Sequence, residues 1–235
     1  MGMGEAMLYG EVVTSTQTML DRNMRLLSLL PTPLLALASH QLAGRGRGAN
    51  VWLSPAGCLQ FSLLLRVPLT ALPGARIVAG AAGARVRLKW PNDLYAVLDD
   101  GEKKKIGGIL VNTSFSSGKV ELVVGCGLNV LNPPPITSLS QLLHRREDRL
   151  LSMERTAAVI MAKFERMWGT FLAHRGSFEP FMDIYLEHWL HSDQVVTLTT
   201  TTPPQKVRIT GITSDYGLLR TVPERDGWSG SRGQS

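Results

Sequence analysis

The chain has 235 residues, 44% of them hydrophobic and 19% charged, with a formal net charge of +6. That size holds one large domain, or a domain with a small appendage, and the apolar share allows a real core. The positive charge favours anionic partners such as nucleotide phosphates, nucleic acid or an acidic protein, and no apolar run reaches the roughly 18 residues of a membrane span.

In chain order, MGMGEAMLYGE lacks a basic stretch followed by an apolar one, so no signal peptide is expected. YGEVVTSTQ, residues 9–17, alternates and then meets Ser15 and Thr16, the pattern of a strand entering a helix N-cap. Met19, Leu20, Met24, Leu27 and Leu30 follow at helical spacing until Pro31, predicting one helix. LLALASHQ (34–41) predicts a buried strand, GRGRGAN (44–50) a glycine-rich loop, CLQFSLLLRV (58–67) an apolar strand and RVRLKW (85–90) another. After the charged loop DDGEKKK (99–105), IGGILVNTSF (106–115) and KVELVVGCGLNV (119–130) predict a hairpin turning at Ser116-Ser117-Gly118. A helix is predicted over 155–175, with Ala158, Met161, Phe164, Met167, Trp168 and Phe171 as its apolar stripe. A further helix is expected over 178–191, and residues 194–222 alternate with turns as a small β unit.

The expected class is α+β: a mixed β-sheet packed with helices, plus a small C-terminal β module. The expected domains are 1–192, carrying the chemistry, and 193–235, an incomplete β module with a disordered tail. Cys58 and Cys126 match no CxxC or zinc spacing, which points to a reducing compartment, the cytosol. His188 and His191 lie three apart without an HExxH-type acidic partner, so a surface pair is expected rather than a metal site.

Three stretches carry chemistry. In KWPNDLY (89–95) Pro91 can neither donate to a ladder nor continue a helix, so the strand stops and Asn92 and Asp93 project from its end. Such a segment is a capped turn or a ligand site. In QLAGRGRGANVWLSP (41–55) Gly44, Gly46 and Gly48 let the backbone close tightly, and Arg45 and Arg47 bring planar forks that match carboxylate or phosphate oxygens. Alone, that loop also suits a basic RNA contact, although aromatic interleaving is missing beyond Trp52. The third is KIGGILVN (105–112) with GCGLNV (125–130).

The order and content of these stretches resemble the catalytic domain of biotin protein ligases, most of all the fungal and wider eukaryotic ones, from about residue 9 to 222. The resemblance implies that ATP and magnesium convert biotin to biotinyl-5′-AMP, releasing pyrophosphate, and that a lysine of a carboxylase carrier domain then attacks the mixed anhydride. It implies a cytoplasmic enzyme whose partners are biotin, ATP and biotin carboxyl carrier domains, with no nucleic acid and no membrane. Lys105 matches the family lysine at biotin and the α-phosphate. Gly44, Arg45, Gly46 and Arg47 match the loop over the biotin carboxylate and adenylate phosphate. Ser15, Thr16 and Gln41 are the candidate readers of the ureido ring, with an N-cap role open for the first two. Gly108, Gly125 and Gly127 would clear space for biotin. Asn92 would face the nucleotide, Asn129 the phosphate or ribose, and Trp52 would be adenylate wall or packing. Asp93 would hold Mg2+, or orient the acceptor lysine and take its proton. The catalytic set is thus Lys105, Arg47 and Asp93.

Two departures from the family are expected to matter. Where the family has a long helix, residues 69–84 are short and rich in Pro and Gly, which would bare an apolar face. DGWSGSRGQS (226–235) predicts a disordered tail where further strands belong. A truncated or mis-spliced ligase is the resulting expectation, and no DNA-binding unit is expected before the first strand. The rival readings are a lipoate or octanoate ligase, a basic RNA-binding module and an inactive paralogue.

Overall fold

The computed structural model describes residues 2–22, 24–68, 85–116, 118–143 and 151–224. Its frame is a seven-stranded sheet in the order β1-β2-β5-β9-β8-β7-β6. These strands are β1 (Met7–Val13), β2 (Leu34–Gln41), β5 (Cys58–Pro68), β6 (Val86–Lys89), β7 (Asp93–Val97), β8 (Lys103–Ser116) and β9 (Lys119–Asn129). The pair β1–β2 is parallel and the other pairs are antiparallel, so the sheet is mixed and the α+β class holds.

The run 58–67 is apolar because β5 is covered on both faces. Leu59, Phe61, Leu63 and Leu65 enter the main core, together with Ala157, Met161 and Phe164 of α3 (Met153–Ala173). Leu64 points the other way, into a second cluster with Leu20 and Leu27 of α1 (Thr16–Asp21) and α2 (Met24–Leu29). Fully burying a leucine side chain is worth roughly 1.5–3 kcal/mol, so this double coverage anchors the sheet. The buried stripe of α3 runs through Ala157, Met161, Phe164 and Phe171, and Ala158 faces outward instead.

The single helix expected between Met19 and Leu30 is two. Polar Asp21 and Arg22 interrupt the apolar spacing, and Asp21 turns to pair with Arg45 and Asn112 from elsewhere. The glycine-rich loop is partly ladder: β3 (Gly44–Arg45) pairs antiparallel with β4 (Val51–Trp52). The helix expected over 178–191 is a 3-10 turn, Glu179–Phe181, followed by α4 (Met182–His188). The chain becomes extended at Trp189, which bridges Leu88 of β6. His188 and His191 therefore do not share a helix face. A small antiparallel sheet follows, β10 (Val195–Leu198), β11 (Gln205–Ile212) and β12 (Leu219–Pro223), and Ile209 and Ile212 join the main core. Residues 69–84 and 226–235, on which the shortened helix and the tail were expected, lie outside the described residues. Among those described, no helix is long and apolar enough to cross a membrane.

One ion pair inside this frame has a measurable weight. Arg66 on β5 meets Glu121 on β9 at 2.8 Å and also donates to the carbonyl of Leu27 at 2.6 Å. Removing one partner of a nearly buried pair strands the other's charge, and Arg66 keeps some solvent. Glu121→Ala should therefore cost about 3 kcal/mol, near the low end for such losses. A urea midpoint unchanged from the parent would contradict it.

Candidate functional site

Cross-strand register builds the floor of a cleft. Gln60, Gly127, Gly108 and Asp93 stand opposite one another across β5, β9, β8 and β7, forming one row on the sheet face that carries α1. Ser62, Gly125 and Leu110 form the next row. The floor is low because three of these residues are glycine. The room at two of them is taken by protein: a Cβ on Gly127 would stand 2.5 Å from the indole of Trp52, and one on Gly125 would collide with Oε1 of Gln17.

Lys105 reaches this floor through a bulge. Along β8, Gly108 faces Asp93 and Gly107 faces Leu94, but Tyr95 faces Lys105, leaving Ile106 unpaired. In a regular strand, residues 105 and 108 would point to opposite faces. The extra residue puts both on the cleft side and sends Ile106 into the core, fully buried. The Lys105 ammonium then meets Oδ1 of Asp93 at 2.7 Å, with 43% of the lysine side chain still exposed. Asn92, beside it, is used by the scaffold: its amide donates to the carbonyl of Ile109 at 2.7 Å, and its own carbonyl accepts from the Ile109 N–H.

The arginine loop forms the opposing wall. Gly46 N–H donates to Asn50 carbonyl at 2.8 Å, closing the loop, and Gly48 adopts φ +65, the left-handed region. Arg45 is committed to Asp21 at 2.5 Å, and the same carboxylate oxygen accepts from Asn112. Among the described residues Arg47 makes no side-chain hydrogen bond or ion pair, so it is the cation of the loop left for a ligand. Gly44 is buried behind the wall, where a Cβ would strike the carbonyl of Trp52.

The far end is a polar network. Gln41 Oε1 accepts from the N–H of Thr16 at 2.8 Å and from its hydroxyl at 3.2 Å. Thr16 Oγ1 lies 2.9 Å from Ser62 Oγ, which donates to Gln17 Oε1 at 3.1 Å, and Gln17 donates to the Val123 carbonyl. Ser15 Oγ accepts from Thr18 N–H, so it is the N-cap of α1. Gln17, Ser62 and Asp21 were not singled out from the sequence. Ser62 carried a signal: with Gln60 it is the polar residue alternating inside an apolar strand.

These walls enclose a cleft of about 1400 Å³. Of the predicted site residues, Ser15, Thr16, Gln41, Arg45, Gly46, Arg47, Trp52, Asn92, Asp93, Lys105, Gly108, Gly125, Gly127 and Asn129 line it, and Gly44 does not. Asn129 spends its amide on the Thr137 carbonyl at 3.1 Å. Burial pushes the thiol of Cys126 up to about 12, and that of Cys58 upward too, so neither is an ionised nucleophile at neutral pH.

Residues 9–129 match the family model of the biotin/lipoate A/B protein ligase family. The chain is 35% identical to the biotin–protein ligase of Schizosaccharomyces pombe over 92% of its own length and 38% of that protein's. The chain belongs to the biotin/lipoate A/B protein ligase family. It spans well under half of the S. pombe relative. Among solved structures, it is similar to a mutant biotin protein ligase from Aquifex aeolicus in complex with biotin, with TM-score 0.62 and 21% identity over 93% of this chain and 95% of that one. It is also similar to the biotin acetyl coenzyme A carboxylase synthetase of Helicobacter pylori with bound biotinylated ATP, with TM-score 0.51 and 26% identity over 81% and 85%. The first likeness speaks for the fold. Every family-like site residue falls inside the matched segment.

The donor set bears on magnesium. Among the described residues no three His, Cys, Asp or Glu side chains cluster as a metal cage. Magnesium commonly takes one or two protein carboxylates and completes its shell with phosphates and water. Asp93, one carboxylate on the cleft floor, fits an ion that arrives with a nucleotide.

Proposed function

We propose that this chain activates biotin with ATP to biotinyl-5′-AMP and transfers the biotinyl group to a lysine of a carboxylase carrier domain. One observation carries the reading: the Thr16–Gln41–Ser62 network, the Arg47 loop and the Lys105–Asp93 pair face a single cleft. In the first step a biotin carboxylate oxygen bonds to the α-phosphorus and pyrophosphate leaves with the electrons of the broken P–O bond. The two reactants are both anionic, so the site must supply positive charge. Arg47, unpaired among the described residues and able to grip carboxylate or phosphate oxygens with two N–H groups, supplies it from the loop side. Lys105 supplies it from the floor, offsetting charge that develops at phosphorus and on the leaving group. Asp93 would hold the magnesium ion that arrives with ATP and supplies further positive charge. In the second step the acceptor amine attacks the acyl carbon and AMP leaves. The alternative role of Asp93 lies here, where in place of holding the metal it would orient the incoming ammonium and take its proton. The hydroxyl of Thr16 and the amide of Gln41, held in register by Ser62 and Ser54, offer donors and acceptors for the ureido ring. Closure of the arginine loop would keep water from the anhydride.

Incubating the purified chain with Mg-ATP and either biotin or lipoate, with and without a carrier domain, tests this. Pyrophosphate release with biotin and labelling of the carrier lysine are expected. Release with lipoate alone would transfer the chain to the lipoate branch of the family, and release with neither would end the enzymatic reading.

A further inference from the structure

The turn that presents Asn92 and Asp93 is gripped from outside the matched segment, and the geometry points to His191 as the positioning residue that holds it. The main-chain N–H of Trp90 donates to Nε2 of His191 at 3.1 Å. Since Nε2 accepts, the ring proton must sit on Nδ1, which lies 2.7 Å from Oε1 of Gln194 and donates to it. One imidazole thus links the site turn to Gln194, with its tautomer set by both partners.

Gln194 is itself fastened to the small sheet. Its carbonyl accepts from Ile209 N–H at 2.9 Å, and Asp193 N–H donates to the Ile209 carbonyl at 3.1 Å. Trp90 is held a second time by that unit, its indole N–H donating to the carbonyl of Gly217 at 2.8 Å. The Trp189 and His191 rings pack nearly at right angles with centroids 5.5 Å apart, and Leu190 N–H donates to the Leu88 carbonyl at 2.8 Å. The segment 189–191 therefore runs against the end of β6 and stops beside the turn. Asp93 lies three residues beyond Trp90, and Lys105 is 2.7 Å from Asp93. Without the acceptor at His191, the backbone of Trp90 loses its anchor and the Asp93–Lys105 pair loses a rigid support. Among the described residues no hydrogen bond runs from the Thr16–Gln41–Ser62 network to this turn, so the effect falls on turnover more than on the reading of the ureido ring. Only this kinetic consequence rests on the ligase reading.

The test pairs hydrogen exchange with kinetics. His191→Phe keeps a planar ring against Trp189 and removes the acceptor, whereas His191→Gln retains an acceptor at a similar reach. In His191→Phe, amide exchange at Trp90 should accelerate, and kcat for pyrophosphate release should fall by about threefold to tenfold, the weight of one hydrogen bond, with the KM for biotin unchanged. His191→Gln should recover most of both. Unchanged Trp90 exchange in His191→Phe overturns the clamp; should that variant fail to fold, unchanged exchange in Gln194→Ala, a surface change, overturns it instead. A rise in KM for biotin with unchanged kcat also overturns it. Faster Trp90 exchange in a chain whose parent releases no pyrophosphate supports the clamp and removes the ligase reading alone.

Discussion

Lys105→Ala lowers the rate of pyrophosphate release by about a hundredfold or more, while the melting temperature hardly moves. The two halves of that expectation have separate causes. The Lys105–Asp93 pair is partly open to solvent, with 43% and 25% of the two side chains exposed, so its contribution to folding stays within about 1 kcal/mol. Its catalytic weight is different, because a preorganised charge aimed at a developing anion is typically worth about 2.7–4 kcal/mol in the barrier. Lys105→Arg should recover little. The guanidinium is a broad planar fork, whereas the bulge at Ile106 delivers a compact ammonium beside Asp93. Paired measurements of melting and of pyrophosphate release decide the matter: a mutant with parental rate would remove Lys105 from the mechanism, and one that fails to melt cooperatively would make it a structural residue.

The second large effect is expected at Gly127. Alanine there puts a methyl group 2.5 Å from Trp52, on a wall segment that is only half-buried, so the indole and not the sheet gives way. Overpacking of this kind costs about 1–3 kcal/mol, which, placed on the ligand side, raises the KM for biotin by about tenfold or more. Gly108→Ala is the control on the neighbouring strand. Its Cβ would come no nearer than 3.3 Å, to Oδ1 of Asp93, so a smaller change is expected there. Titration of biotin into the two variants checks the order; equal affinities would mean that the Gly127–Trp52 contact does not bound the space biotin takes.

Much of the frame could be read from residue order. The hairpin of β8 and β9 announced itself as two apolar runs around Ser-Ser-Gly, and β5 as a strand too apolar to have a wet face. Aromatic residues at helical spacing marked α3, although the buried stripe is one residue out of register near Ala157. The chemical groups of the cleft were equally visible, because glycine, arginine, lysine and carboxylate clustered in unusual short stretches.

Local pattern reports period and chemical type, since both arise from neighbours a few residues apart. It says nothing about faces and partners once a ladder slips or a contact spans the chain. The bulge that turns Lys105 toward Asp93, the capture of Arg45 by Asp21, and the bond from Trp90 to His191 each depend on groups brought close only by folding. Hydrogen bonds and contact ion pairs form only when their groups come within about 3–4 Å of each other. For that reason the residue types available to this cleft were written in the order of its amino acids, whereas the division into a free Arg47, a tethered Arg45 and a buttressed Asp93 came from packing in three dimensions.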